Sequence, residues 1–247
     1  MRFAGKTVLI TGAASGFGKL AAERMVAEGA QVALGDVDER VFDVATAVGG
    51  KAMICDVSSE ADQKALVELA LSMGGLDIAL NNAGIAHKPG FMADIPLEAF
   101  NTQMAVNVGG CFLGMKYQLP VMREQRHGAI LNTASAAGLV AAPLSGAYAA
   151  AKHAVIGLTK TAADEYARFN VRVNAICPSF ANTAMVDGLR SDMGGADNVD
   201  AKLTMRIPMG RVAHADEIVQ GMLWAVSDEN SFMTGQALAL DGGLTAV

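Results

Sequence analysis

The sequence predicts a single α/β domain over residues 1–247: a central, doubly wound parallel sheet of about seven strands, flanked by helices. Three observations predict it. Short continuous apolar runs alternate with segments whose apolar residues recur at helical spacing, the pattern of strands buried on both faces and of the helices that cover them. The length suits one α/β unit, and no linker, repeat or low-complexity tract divides it. The apolar runs are broken by Gly, Asp and Asn well short of the roughly 18 residues a membrane span needs, so the hydrophobic residues belong to a core.

The elements follow in order. Residues 7–11 form a first strand, and 16–28 a helix with Leu20, Met25 and Val26 among alanines and charges, stopped at Gly29. Residues 31–35 and 51–55 read as strands. A helix at 60–73 sets Leu66, Leu69 and Ala70 on one side, and 77–80 is the fourth strand. One or two long helices occupy 97–123, then come a strand at 129–133, a long helix at 145–169 and a strand at 171–177. A helix at 216–226 and a strand at 237–240 close the pattern. Residues 182–211, rich in Met, Gly and Asp, show no clear period. They read as a lid over a ligand site within the domain, or as a helical insertion that only packs.

Composition excludes several classes of function. The net charge is −6 and no stretch is rich in Lys or Arg, so no nucleic-acid partner is expected. No membrane association is expected either. The chain enters a strand-like run at once, without a targeting segment, and its three cysteines lack C-x-x-C spacing. A cytoplasmic protein with reduced thiols is the expectation. None of the four histidines, His87, His127, His153 and His214, stands at metal-ligand spacing with another. All four read as structural or surface residues, and no metal site is expected.

In a doubly wound sheet, ligands bind beyond the carboxyl ends of the strands. The first strand ends in Thr11-Gly12-Ala13-Ala14-Ser15-Gly16-Phe17-Gly18. Gly12, Gly16 and Gly18 permit a tight turn, close backbone approach to a pyrophosphate and close helix–strand packing, and the following helix aims free N–H groups at the phosphates. The second strand leads into Asp36, about 20 residues further on, which can accept the 2′-hydroxyl of an adenosine ribose and repel a 2′-phosphate. No Lys or Arg lies in the glycine loop, and the nearest cation is Arg40. NAD is therefore expected over NADP in a Rossmann-type domain. The other reading of Asp36 is a cap on the next helix, a task open to Asp38 as well.

A second constellation follows the fifth strand. Ser135 ends it, and Tyr148 and Lys152 come later, four apart on one helix face. Oxidation of an alcohol needs a base for the hydroxyl proton. A phenol, with its ordinary pKa of about 10, becomes a better base beside a positive charge. Lys152 supplies one charge and an oxidised nicotinamide another. In the reverse direction Tyr148 is the general acid. Ser135 would hydrogen-bond the reacting oxygen. Taken alone, the Tyr–Lys pair is equally an amphipathic contact.

The glycine spacing T-G-x-x-x-G-x-G resembles that of the classical short-chain dehydrogenases/reductases, and the resemblance covers essentially the whole chain. It implies an oxidoreductase that moves a hydride between NAD and a secondary alcohol or ketone. By resemblance, Asp56 and Val57 contact adenine, and Asn82, Ala83 and Gly84 belong to an N-N-A-G signature on the adenosine ribose side. Asn107 joins the catalytic residues, distorting its helix and holding a water that links Lys152 to solvent. Lys152 also bonds the nicotinamide ribose, so Tyr148 and Lys152 count among the cofactor-binding residues too. Pro178, Ala181 and Thr183 join that set, Thr183 bonding the carboxamide. The family's usual Pro-Gly after the sixth strand is here Pro178-Ser179, and serine tolerates a positive φ less well than glycine. A homotetramer is implied by the resemblance alone.

The substrate side is expected to be apolar. Ala136, Ala137, Leu139, Val140 and Pro143 would line it from one side, and Phe180, Met185, Met193 and Met205 from the other. Arg190 or Arg206 could clamp an anion. A small, largely apolar alcohol or ketone is the expected partner. Two rival readings are a 3-oxoacyl-carrier-protein-type reductase, for which a basic residue in the glycine loop would be expected, and a non-catalytic dinucleotide-binding module.

Overall fold

The computed structural model describes residues 1–192 and 203–246. Its seven strands are β1 (Thr7–Thr11), β2 (Gln31–Asp36), β3 (Lys51–Ile54), β4 (Ile78–Asn81), β5 (Gly128–Thr133), β6 (Val171–Pro178) and β7 (Ala237–Leu240). They form one sheet in the order β3-β2-β1-β4-β5-β6-β7, and every neighbouring pair is parallel. The order reverses at β1, so a crevice opens between the carboxyl ends of β1 and β4, where such sheets take their ligands.

The period-2 alternation of the strands divides the core into two layers. On one face, Val8 and Ile10 of β1 and Val32 and Leu34 of β2 pack under α1 (Gly16–Ala27), α2 (Arg40–Val48) and the last helix. On the other, Leu9 and Ala33 pack under α3 (Glu60–Leu71) and two long helices. All five residues of β1 are buried, as a central parallel strand requires. No helix among the described residues is long and apolar enough to cross a membrane.

Two segments depart from simple helical reading. The stretch expected to hold one or two helices is α4 (Leu97–Gln103), then a π-helical segment (Met104–Gly109), then α5 (Gly110–Gln125). A π segment widens the helix by one residue per turn and is frequent at functional sites. Its one buried side chain is Asn107. After α6 (Gly146–Tyr166) and β6, the segment 182–211 opens with a helix, α7 (Ala184–Asp192). Its base is tied by paired backbone bonds, Ala213 N–H to Phe180 C=O at 2.9 Å and Asn182 N–H to Ala213 C=O at 3.0 Å. Residues 193–202 of this segment, Met193 among them, lie outside the described residues. The chain then runs into α8 (Ala215–Val226).

Candidate active site

A cavity of about 750 Å³ opens at the carboxyl edge of the sheet. Every predicted catalytic and cofactor-binding residue lines it except Gly18 and Asn107. At one end it meets the glycine loop. Gly12 has a φ of +66°, and a Cβ there would come within 2.8 Å of the Ala83 Cα. A Cβ on Gly18 would meet the Gly12 carbonyl at 2.1 Å, so α1 can start this close to β1 only with glycine at both positions. Ser15, the N-cap of α1, makes no side-chain cap bond, and Ser15, Gly16 and Phe17 present this helix end to the cavity. The arrangement fits a dinucleotide pyrophosphate: free N–H groups, backbone that can be approached closely, and no acidic residue in the first turn.

The N-N-A-G segment fastens this loop. The Asn82 carboxamide donates to the carbonyls of Thr11 (3.1 Å) and Gly12 (3.2 Å), and the Thr11 hydroxyl accepts from the backbone N–H of Asn82 and Ala83. Asn81 faces inward instead. It exchanges two hydrogen bonds with Gln118 of α5 and donates to Asn132 of β5, which donates in turn to Thr159 of α6. All four residues of this network are buried.

Asp36 does not cap the next helix. Its carboxylate accepts from Ala14 N–H at 2.9 Å and Asp38 N–H at 3.1 Å, and so sits between the glycine loop and the turn after β2. Arg40, the nearest cation, is bound to Asp38 through three side-chain contacts of 2.6–3.0 Å. That pairing holds the Asp38 carboxyl below its ordinary value. Asp56 and Val57 line the cavity beyond, with Asp56 accepting from the Ser58 backbone and hydroxyl.

At the other end, Ser135, Tyr148 and Lys152 converge. Ser135 Oγ accepts from Ala137 N–H at 3.1 Å and is hydrogen-bonded to the Tyr148 phenol. Lys152 is 3% exposed; its Nζ donates to the Thr133 carbonyl at 2.7 Å and lies 5.5 Å from the centre of the Tyr148 ring. Gly84 lets the ammonium come this near, since a Cβ there would meet Lys152 Nζ at 3.3 Å and Asn107 Oδ1 at 2.8 Å.

The electrostatics differ from the sequence expectation in one respect. Burial pushes the Tyr148 phenol above its ordinary 10, and the Ser135 hydrogen bond opposes this without overcoming it. The expected lowering by Lys152 is not among the causes of this shift in the chain alone; the ammonium donates to the Thr133 carbonyl and is itself desolvated. Burial pulls Lys152 down from 10.5 to about 8. The second positive charge, that of the nicotinamide, enters only with the cofactor.

Asn107 lies in the π segment, where a distorted helix was expected. Its Oδ1 accepts from Ile85 N–H at 3.0 Å, and its Nδ2 donates to the Ile85 carbonyl at 2.9 Å and to Gln103. It thereby fixes the chain just after the N-N-A-G segment. Pro178, Ala181 and Thr183 line the cavity below α7, with Thr183 about 4 Å from where a Gly16 side chain would begin. Ser179 takes no left-handed conformation, since the described non-glycine residues with positive φ are Arg126, Leu144 and Asn170. The backbone after β6 therefore needs no glycine.

The substrate half needs three corrections. Leu139 packs into the core and does not line the cavity, and Met205 is exposed outside it. His87, taken from the sequence as structural or surface, lines the cavity, as do Ile85, Pro89 and Leu144. They stand on loops without periodicity, and no residue signal marks them. Of the two candidate anion clamps, Arg206 borders the cavity, while Arg190 bonds Asp187 and Asn182.

Comparison with known proteins agrees with this geometry. A family model described as enoyl-(acyl carrier protein) reductase matches residues 12–245. The chain is 44% identical to the 2,5-dichloro-2,5-cyclohexadiene-1,4-diol dehydrogenase of Sphingobium indicum, over 98% of each chain. It is 35% identical to the cyclohexanol dehydrogenase of an Acinetobacter species, over 99% of this chain and 97% of that one. The crystal structure of levodione reductase superposes with a TM-score of 0.95 at 33% identity, over the whole of both chains. The chain belongs to the classical short-chain dehydrogenase/reductase family, oxidoreductases that use a nicotinamide dinucleotide to interconvert secondary alcohols and ketones.

Proposed function

We propose that this protein is an NAD-dependent dehydrogenase of small, largely apolar cyclic secondary alcohols, with Tyr148 as the proton acceptor. The observation that carries the reading is the convergence of Ser135, Tyr148 and Lys152 in the cavity whose far end is closed by Asp36. Bound NAD supplies the hydride acceptor. Ser135 holds the substrate oxygen beside the phenol, which is positioning plus electrostatic stabilisation. Tyr148 takes the hydroxyl proton, and the nearby Lys152 ammonium favours the phenolate that must form. Asn107, by pinning Ile85, keeps the wall around Lys152 in place.

NAD preference is supported by Asp36 at the end of β2 and by the pairing of Arg40 with Asp38, which leaves Arg40 poorly placed to meet a 2′-phosphate. The cyclic substrate class is supported by the relatives named above and by an apolar wall that includes Ala137, Val140 and Pro143. A homotetramer is supported by large apolar side chains left exposed on α5 (Phe112) and toward the C-terminus (Trp224 and Phe232). A cytoplasmic setting is supported by three free, buried cysteines.

The test is reduced-cofactor formation with NAD and with NADP across cyclic secondary alcohols and 3-hydroxyacyl thioesters. The expected result is oxidation of the cyclic alcohols with NAD at least about tenfold more efficient than NADP, worth about 1.4 kcal/mol. NADP preference together with turnover of the thioesters alone would favour the carrier-protein reductase.

A further inference from the structure

The loop that leads from β5 into α6 makes a tight turn beside the cavity. Ser145 N–H donates to the Ala142 carbonyl at 3.1 Å and closes the four residues Ala142-Pro143-Leu144-Ser145. Pro143 takes the second position and Leu144, with a φ of +64°, the third. This is the pattern of a type II turn, whose third position calls for glycine or asparagine because a Cβ is disfavoured at positive φ. A leucine there is strained, and such strain persists where surrounding structure enforces it.

Two contacts enforce it. Gly90 N–H donates to the Leu144 carbonyl at 2.9 Å. Just beyond the turn, Gly146 opens α6, and Met92 lies so close over it that a Cβ there would meet the Met92 Cε at 2.9 Å. The turn is clamped between the chain after β4 and the start of α6. Leu144 contributes nothing to the two buried apolar layers of the core. It is 41% exposed and lines the cavity, as do Ala142, Pro143 and Ser145. Its carbonyl is taken up by Gly90, so most of the surface it offers is the isobutyl group, which a ligand can touch.

We propose that Leu144 determines substrate specificity: its side chain walls the substrate half of the cavity and limits the size of the ring whose hydroxyl reaches Ser135 and Tyr148. Leu144 immediately precedes Ser145, the N-cap of α6, and Tyr148 lies in the first turn of that helix. Wall and phenol are therefore fixed to one short stretch of chain. A ring too large for the space beside them cannot bring its hydroxyl to the phenol without displacing a clamped turn. The strain at Leu144 is what the fold gives up to keep an apolar wall where the turn favours glycine. This inference rests on the cavity being a site for cyclic secondary alcohols.

The experiment measures kcat/KM for cyclohexanol and cyclooctanol, with NAD, and the melting temperature of the natural protein, Leu144→Gly and Leu144→Ala. The natural protein favours the smaller ring. In Leu144→Gly the cyclohexanol-to-cyclooctanol ratio falls about tenfold, the low end of what one or two methylenes contribute in an apolar pocket. The same variant melts at or above the natural protein, because glycine relieves the positive φ. Leu144→Ala removes the wall but keeps the Cβ, so its ratio falls similarly and it melts below Leu144→Gly. An unchanged ratio in the folded variants overturns the role of Leu144 while leaving the cyclic-alcohol reading intact. A Leu144→Gly protein that melts well below the natural one overturns it too, since the leucine would then serve the fold. Failure of the natural protein to oxidise either alcohol overturns the cyclic-alcohol reading, and this inference with it.

Discussion

The two ends of the cavity are built differently. At the cofactor end, polar side chains grip backbone groups. Asn82 reaches the carbonyls of Thr11 and Gly12, Thr11 accepts from two backbone N–H groups, and Asp36 accepts from Ala14. Every partner there sits at the end of a sheet strand or in the turn that follows it. The substrate end is lined by side chains of two loops joined by one backbone bond, Gly90 to Leu144. A grip on backbone constrains the sequence tightly, because glycine is needed wherever another segment or a phosphate comes close. A wall made of loop side chains leaves the sequence free and lets the substrate change while the cofactor does not.

The comparison can be broken most forcefully at Gly12. Gly12→Val would force a branched residue into φ +66° against Ala83. It should weaken NAD binding by about 100-fold, or about 2.7 kcal/mol, read by calorimetry. Affinity like that of the natural protein would show that the loop is not a backbone grip. A smaller effect is expected at Thr159, where the buried amide network crosses from sheet to α6. Thr159→Val leaves the Asn132 carboxamide short of a partner, and should lower unfolding free energy by about 1–3 kcal/mol in a denaturant titration. A loss below a few tenths of a kcal/mol would remove the network from the account of how α6 is positioned.

The gentlest test is one of pH. Burial lowers Lys152 from 10.5 to about 8, so between those values the unfolded chain holds a proton that the folded chain has released. The lysine's contribution to stability therefore rises with pH through that window, and below it the buried charge is a burden. Stability of the natural protein relative to Lys152→Met should increase from pH 8 to 10.5. Subtraction removes the opposing influence of the buried thiols and phenol, whose values are raised. A difference that stays flat would mean that Lys152 is not desolvated.

Sheet, layers and cofactor end were legible in the sequence because each leaves a local mark. The strands are continuous apolar runs, and the glycine spacing records where a Cβ cannot fit. Ser135, Tyr148 and Lys152 were legible through their spacing on a strand end and one helix face. The π segment at Met104–Gly109 was not, since its one-residue widening hardly disturbs a period of 3.6. Nor were the positive φ of Leu144 and the place of His87 in the cavity wall. Both depend on loops meeting across a sequence separation that no short pattern spans. The direction of the Tyr148 shift was missed for a related reason: the Tyr–Lys spacing reports the neighbouring charge, whereas desolvation depends on the whole cavity.

The central claim is that this cavity binds NAD at one end and removes a proton through Tyr148 at the other. The most direct measurement is turnover and NAD affinity of Tyr148→Phe beside the natural protein, on a cyclic secondary alcohol that the latter oxidises. The account predicts that turnover falls by about 10²–10⁴-fold while NAD binds within about tenfold of its original affinity. A variant that keeps its turnover, or that loses NAD binding and turnover together, would contradict it.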